Sequence, residues 1–236
     1  MKQKLLAIVP LGDCGAYVEF SRTLDVETNA FVQKLGLAVE AAARKSGLSA
    51  LRDLVPAFGG LALHFDPDFE GDVLETARSL VEGCMKAGWS ERKNADRSVE
   101  VPVCYEPPFA LDLDEVSQKV KLPPEKIAAV HAAAEYRVLM MGFAPGHAYM
   151  GGLDPKLSLP RRANPRAEVP AGSVAIANEQ TVVYPYAISG GWSVIGRTPL
   201  LVFDATREEP SLFLAGDRVR FRPIDAQEFA RLAARK

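Results

Sequence analysis

The chain has 236 residues, 48% of them hydrophobic, with 28 basic against 30 acidic side chains and a formal net charge of −2. That is enough for one large or two small domains with a sizeable core, and the near balance of charge excludes the broad basic footprint of a general nucleic-acid binder. Three scattered cysteines, Cys14, Cys84 and Cys104, form no CxxC pair, so they read as reduced thiols of a cytoplasmic protein rather than as a disulfide framework.

The opening MKQKLLAIVPLGD holds an apolar run that breaks at Pro10. It is too short to span a bilayer and no small-residue cleavage site follows, so a soluble, unexported chain with no membrane role is expected. Leu5 to Val9 and Ala16 to Phe20 read as a hairpin around Gly12-Asp13-Cys14-Gly15. Asp25 to Lys45 has helical spacing, with Asp25 as N-cap and Gly47 as stop. Leu51 to Val55 and Leu61 to Phe65 are two further strands, and Val73 to Lys86 a second amphipathic helix ended by Gly88. Helices of this kind must cover one face of a small antiparallel sheet, which gives an α+β sandwich. The polar run SERKNADRS reads as a linker, placed at 91–98 between domains at 1–90 and 99–236.

Beyond the linker, Val99 to Tyr105 alternates as a strand. Leu113 to Val120 is a short helix with Asp112, Asp114 and Glu115 suited to its dipole, and a second helix opened by Pro123-Pro124 runs to about Ala134. From Tyr136 the short runs VLMMGF, SVAIA, QTVVYP, WSVIGRT, LLVF and RVRF, with frequent turns, predict a barrel or sandwich, followed by a terminal helix over Asp225 to Arg235.

The chemistry concentrates between Gly142 and Arg197, where Gly and Pro are dense enough for either a preorganised ligand site or the scaffold of a turn-rich barrel. Arg161, Arg162, Arg166 and Arg197 lie in this stretch, each either an anion ligand or a partner of Asp154, Glu168 or Glu179; at least one is expected to hold an anion. His64 alternates with strand residues and reads as structural. His131 and Glu135, four apart on one helical face, are either an oriented proton-handling pair or surface residues. His147, beside Gly146 in a Gly-Pro loop, is placed to reach a ligand. Gln180, Thr181, Tyr184 and Trp192 are either core and turn residues or groups suited to holding a small amide ring or a base. No HExxH, no clustered Cys/His set and no GxSxG elbow occurs, so no metal site is expected. No Walker A lysine motif is present either, so any ATP site is expected to be shared with a partner protein.

These blocks, read together, carry a resemblance. Pro10 to Asp13, Val18 to Phe20, Val101 to Tyr105, His131, Glu135-Tyr136, Gly142-Phe143 with Pro145-Gly146, Tyr149, Gly151 to Pro155, Pro160-Arg161, Pro165-Arg166, Val169 to Val174, Gln180-Thr181, Tyr184-Pro185, Gly190 to Trp192, Ile195 to Pro199 and Gly216 to Val219 resemble the family of the Kip inhibitor, the B subunit of 5-oxoprolinase and the allophanate hydrolase subunit 1 domain. The resemblance implies an α+β N-terminal domain followed by a mostly-β, cyclophilin-like barrel. It implies membership of a complex that converts 5-oxo-L-proline to L-glutamate with ATP, Mg as its counter-ion. Its implied partners are the homologous C subunit (allophanate hydrolase subunit 2-like) and the A subunit of 5-oxoprolinase, and the chain alone is expected to be inactive. Arg161, Arg166 and Arg197 become the expected anion contacts, His131 with Glu135 the proton handler, Gln180 and Tyr184 the readers of the lactam, and His147 with Gly146 part of the substrate loop. The family also implies two other functions, inhibition of a sporulation histidine kinase and a part in a urea or amide carboxylase with a biotin-carrying partner. His147, Met150, Asn178, Thr181 to Val183 and the Glu106-Pro107-Pro108-Phe109 turn depart from its usual pattern.

Overall fold

A computed structural model describes residues 3–88 and 97–234. The chain divides into two units between residues 95 and 96; of the linker expected at 91–98, residues 91–96 lie outside the described residues.

The first unit contains β1 (Ala7–Pro10), β2 (Gly15–Glu19), α1 (Val26–Ser46), β3 (Leu51–Pro56), β4 (Gly60–Phe65) and α2 (Val73–Ala87). Its sheet is antiparallel in the order β1-β2-β4-β3. Alternation places Ala16, Val18 and Phe20 of the β2 segment, and Leu61, Leu63 and Phe65 of β4, in one buried layer. Val32, Leu35 and Val39 of α1 and Ala77 and Val81 of α2 belong to the same core. Asp25 caps α1 by accepting from the Glu27 and Thr28 amides, and Gly47 closes it in the left-handed region at φ 72°.

The second unit runs through β5 (Ser98–Cys104), α3 (Leu113–Val120), α4 (Pro124–Ala133), β6 (Glu135–Met141), β7 (Ala148–Gly151), a 3-10 turn at Pro155–Leu157, β8 (Arg166–Val169), β9 (Ser173–Ala177), β10 (Gln180–Val183), β11 (Ile188–Gly190), β12 (Ser193–Arg197), β13 (Arg218–Ile224) and α5 (Ala226–Ala233). Seven strands close a barrel in the order β10-β7-β6-β13-β5-β12-β9, and β8 pairs with β11 as a separate ribbon. The β5–β13 pair is parallel and the other ladders antiparallel. Inward residues such as Val101, Val138, Met150, Ile176, Val183 and Val219 fill the barrel together with Ile127 of α4. The outward residues Ala175, Ala177, Val182, Tyr184, Trp192 and Val194 form a second apolar layer with Val169 and Ile188 of the ribbon.

Two expectations need correction. The LLVF run makes only an isolated bridge, Phe203 with Ser211. The short strands β7, β8 and β11 gave no pattern long enough to read. Asn178 sits in the β9–β10 turn at φ 52°, a region that asparagine tolerates better than most residues.

Candidate functional site

His131 is fully buried, and its hydrogen bonds fix its state. Thr181 donates its hydroxyl to the Ala175 carbonyl at 3.1 Å, so its oxygen receives the proton of His131 Nε2 at 3.0 Å. Nδ1 is then the acceptor of the Tyr105 hydroxyl at 2.8 Å. Burial pulls the imidazole down to about 3, a neutral side chain. The pairing with Glu135 does not form. Ala134 leaves the helix at ψ 149° and Glu135 opens β6, so the two residues never share a helical face. Glu135 is exposed on the wall and binds Arg220 at 2.6 Å. His131 is an internal strut, and the expected proton handler is withdrawn.

Arg166 is also committed elsewhere. Its two terminal nitrogens grip Asp112 at 2.7 and 2.5 Å, and Arg162 Nη1 reaches the same carboxylate at 2.8 Å. The Val194 amide donates a fourth hydrogen bond at 2.7 Å. Asp112 stands at the N-cap of α3 with Asp114 and Glu115 in the first turn, as the dipole reading has it, but its side chain makes no cap bond. Its carboxylate ties the loop before α3 to β12 and to the 160–166 segment. Glu115 joins through Arg162 at 2.7 Å, and Lys119 and Arg162 together hold its carboxyl down to about 2. Arg197 spends its Nε on the Ala171 carbonyl at 2.7 Å, in a turn where Gly172 donates to Tyr184 and Thr198 donates to Gly172. A Cβ at Gly172 would lie 2.4 Å from the Thr198 carbonyl oxygen. The Pro-Ala-Gly-Ser turn is thus a structural joint, and the anion contact expected of Arg166 is corrected to an internal one, whereas Arg197 commits its Nε to the turn.

Of the remaining expected residues, Arg161, Gly146, His147 and Tyr184 lie in one neighbourhood. The His147 ring lies 4.8 Å from Tyr149 and 5.6 Å from Tyr184, both edge-on. Tyr149 is 6.0 Å from Trp192, and the Arg161 guanidinium sits 5.5 Å over the Trp192 ring. Gly146, at φ 78°, keeps the loop against Phe203, where a Cβ would come within 2.7 Å. Burial lowers the His147 imidazole to about 4 and raises the Tyr184 phenol to about 12. His147 Nδ1 is buried with no partner. Arg161 is exposed, and among the described residues no carboxylate pairs with it. The cluster therefore presents aromatic faces, a neutral imidazole and one uncommitted cation, which suits a small planar molecule carrying a carboxylate. Gln180 lies at the other end of β10, apart from this cluster. Tyr149 was read only as part of the family pattern, and its alternation with His147 along the β7 segment was the signal that could have found it. Asp112 carried no local signal of its role.

Among the described residues, no group of three or more His, Cys, Asp or Glu side chains is placed to hold a metal ion, and no helix is long and apolar enough to cross a membrane.

Residues 6–213 match the carboxyltransferase domain, subdomains C and D. The chain is 34% identical over 230 residues to the 5-oxoprolinase B subunit of Bacillus subtilis, covering 94% of each chain. It is 45% identical over 139 residues to the 5-oxoprolinase B subunit of Escherichia coli O157:H7, an alignment spanning 57% of this chain and 64% of that one. Among solved structures it resembles TTHA0988, with a TM-score of 0.74 and 36% identity; the match covers 90% of this chain and 40% of that longer one.

Proposed function

From the premise that the chain belongs to the family of the carboxyltransferase domain, subdomains C and D, we propose that it is the B subunit of a cytoplasmic 5-oxoprolinase that opens 5-oxo-L-proline to L-glutamate with ATP. The observation that carries this reading is the alignment with the B subunit from B. subtilis, which covers 94% of each chain. The TTHA0988 match supports partnership, because there the same fold fills only 40% of a longer chain. Partners homologous to the A and C subunits complete the assembly.

An unstrained lactam resists water until its oxygen is activated, and transfer of the ATP γ-phosphoryl group to that oxygen supplies the activation. Water then adds at the carbonyl carbon, the ring C–N bond breaks and the nitrogen leaves as the amine of glutamate; the acyl phosphate left behind is hydrolysed by a second water to the γ-carboxylate and inorganic phosphate. The His147–Trp192 cluster, built from His147, Tyr149, Tyr184, Trp192 and Arg161, holds no carboxylate to offer a magnesium ion carried by the nucleotide. ATP and its counter-ion belong to the assembled complex, and this chain binds and orients the lactam. Arg161 takes the substrate carboxylate, Tyr149 and Trp192 flank the ring, and His147 Nδ1 accepts a hydrogen bond.

The test is 5-oxoproline-dependent ADP release by this chain co-purified with its A- and C-type partners. Turnover is expected only with all three. Arg161→Ala should raise KM for 5-oxoproline by roughly ten- to a hundredfold, the worth of a charge-assisted hydrogen bond. Its melting temperature should not change, because the guanidinium is exposed. Equal turnover with this chain omitted would end the proposal.

A further inference from the structure

Arg218 of β13 stands directly opposite Arg137 of β6. The same register continues from Arg137 through Gly151 of β7 to Gln180 of β10. Tyr136, Val138, Met150 and Val219, the neighbours along these strands, point into the barrel, so this cross-strand row lies on the outer wall. The row itself holds two guanidiniums and no carboxylate. The adjacent row supplies Glu135, which serves Arg220 at 2.6 Å and Arg218 at 3.6 Å. The neighbouring Arg222 is matched by Glu100 and Glu228, and Arg97 by Asp217. Arg137 differs from all of these: among the described residues no carboxylate pairs with it.

Like charges directly across a ladder weaken it, so the Arg137–Arg218 pair is not there for stability. Two further observations point to something that completes the row. Arg137 Nε and Gln180 Nε2 are both buried without a hydrogen-bond partner, and Gln180 as a whole is only 8% exposed. Buried donors without acceptors are unfavourable, and here two of them occupy one row. Between them Gly151 contributes no side chain, and Leu139 leans over its α-carbon as an apolar flank. The two strand spacings from Arg137 to Gln180 amount to roughly 10 Å of backbone, a gap that two long side chains can close from either side.

We propose that this row is a binding site for phosphate, either the free anion or the terminal phosphate of a nucleotide. Several oxygens on one tetrahedral centre can accept from the Arg137 fork and the Gln180 amide at once. The positive charge of Arg137 supplies the attraction. The site is separate from the His147–Trp192 cluster, because Gln180 opens β10 and Tyr184 follows its last residue, Val183. It therefore stands or falls independently of the 5-oxoprolinase reading.

The isolated full chain is titrated with sodium phosphate, ATP or sodium acetate at constant ionic strength, with heat of binding and melting temperature as readouts. Phosphate is expected to bind and to raise the melting temperature, and acetate to do neither. Arg137→Met should weaken phosphate binding by about tenfold or more, without lowering the melting temperature in phosphate-free buffer. Arg207→Met, which removes a surface partner of Asp204, should bind as the wild type does. Competition between ATP and phosphate assigns the site to a nucleotide; phosphate binding that ATP leaves untouched assigns it to the free anion. Acetate acting as well as phosphate, or Arg137→Met binding phosphate like the wild type, overturns the proposal.

Discussion

Asp112→Ala is expected to destabilise the barrel unit by about 3 kcal/mol, the lower part of the range for breaking a buried ion pair. The Asp112 side chain is 2% exposed and accepts from Arg162, twice from Arg166 and from the Val194 amide. Alanine leaves two guanidiniums crowded together and the Val194 N–H without an acceptor. The arginines are 21% and 26% exposed, so they recover some hydration, which is why the lower figure applies. Asp112→Asn keeps the shape and loses the charge, and should cost about half as much. Arg166→Lys keeps the charge but loses the two-pronged grip. Urea unfolding of the three variants, with midpoints compared at unchanged slope, measures this. A loss under about 1 kcal/mol for Asp112→Ala would place the network with ordinary exposed pairs and refute its structural role.

The second large effect concerns acid. In the folded chain, burial depresses His131 to about 3 and His147 to about 4, whereas an unfolded histidine titrates near 6.5. Below that value the unfolded chain binds protons that the folded one refuses, so stability falls as pH drops. The fall approaches about 1.4 kcal/mol per pH unit for each imidazole. The window between pH 6 and pH 5 isolates them, since carboxylates held low, such as Glu115 at about 2, respond only at lower pH. Asp217, whose carboxyl burial pushes up, opposes the trend as it protonates. His131→Gln retains a donor and an acceptor for Thr181 and Tyr105 without a titrating ring. Its stability should therefore lose one proton's worth of pH dependence. Urea midpoints at pH 6.5, 6.0, 5.5 and 5.0 provide the slopes, and identical slopes for variant and wild type would show that His131 is not held neutral.

The elements legible in the sequence are those whose pattern is long. α1 and α2 show helical spacing with explicit caps, and β2, β4, β5 and β13 alternate over five or more residues. The ribbon β8–β11 escaped because Ile188-Ser189-Gly190 is too short to alternate, and it exists only as a lid on the outer apolar layer. LLVF has strand composition, yet after Pro199 it forms no more than the isolated bridge of Phe203 with Ser211. Candidate site residues can be picked out where neighbours in sequence stay neighbours in space, as with Gly146 and His147. They cannot be picked out where partners come from far apart. Arg166 and Asp112 are separated by 54 positions, and nothing local distinguishes an arginine that grips an internal acid from one awaiting a substrate. His131 and Glu135 failed for the opposite reason: a spacing that is meaningful inside a helix loses its meaning when the helix stops at Ala133.

The parallel pairing of β5 with β13 has a consequence for synthesis. Residue 98 lies beside residue 218, so the register spans 120 positions. Translation proceeds from the N-terminus, and β5 therefore emerges long before the strand that covers it. Until β13 arrives, one side of β5 has no mate, its other side has only the Arg197–Cys104 contact with β12, and β6 also lacks a neighbour. Open edges of this kind template association between chains, and nascent domains are most exposed to it while incomplete. A ribosome that stalls or terminates before residue 218 leaves a gapped cylinder rather than a smaller version of the domain. Yield in a cell thus depends on how quickly the codons through β13 are read, and on what shields the gap in the meantime.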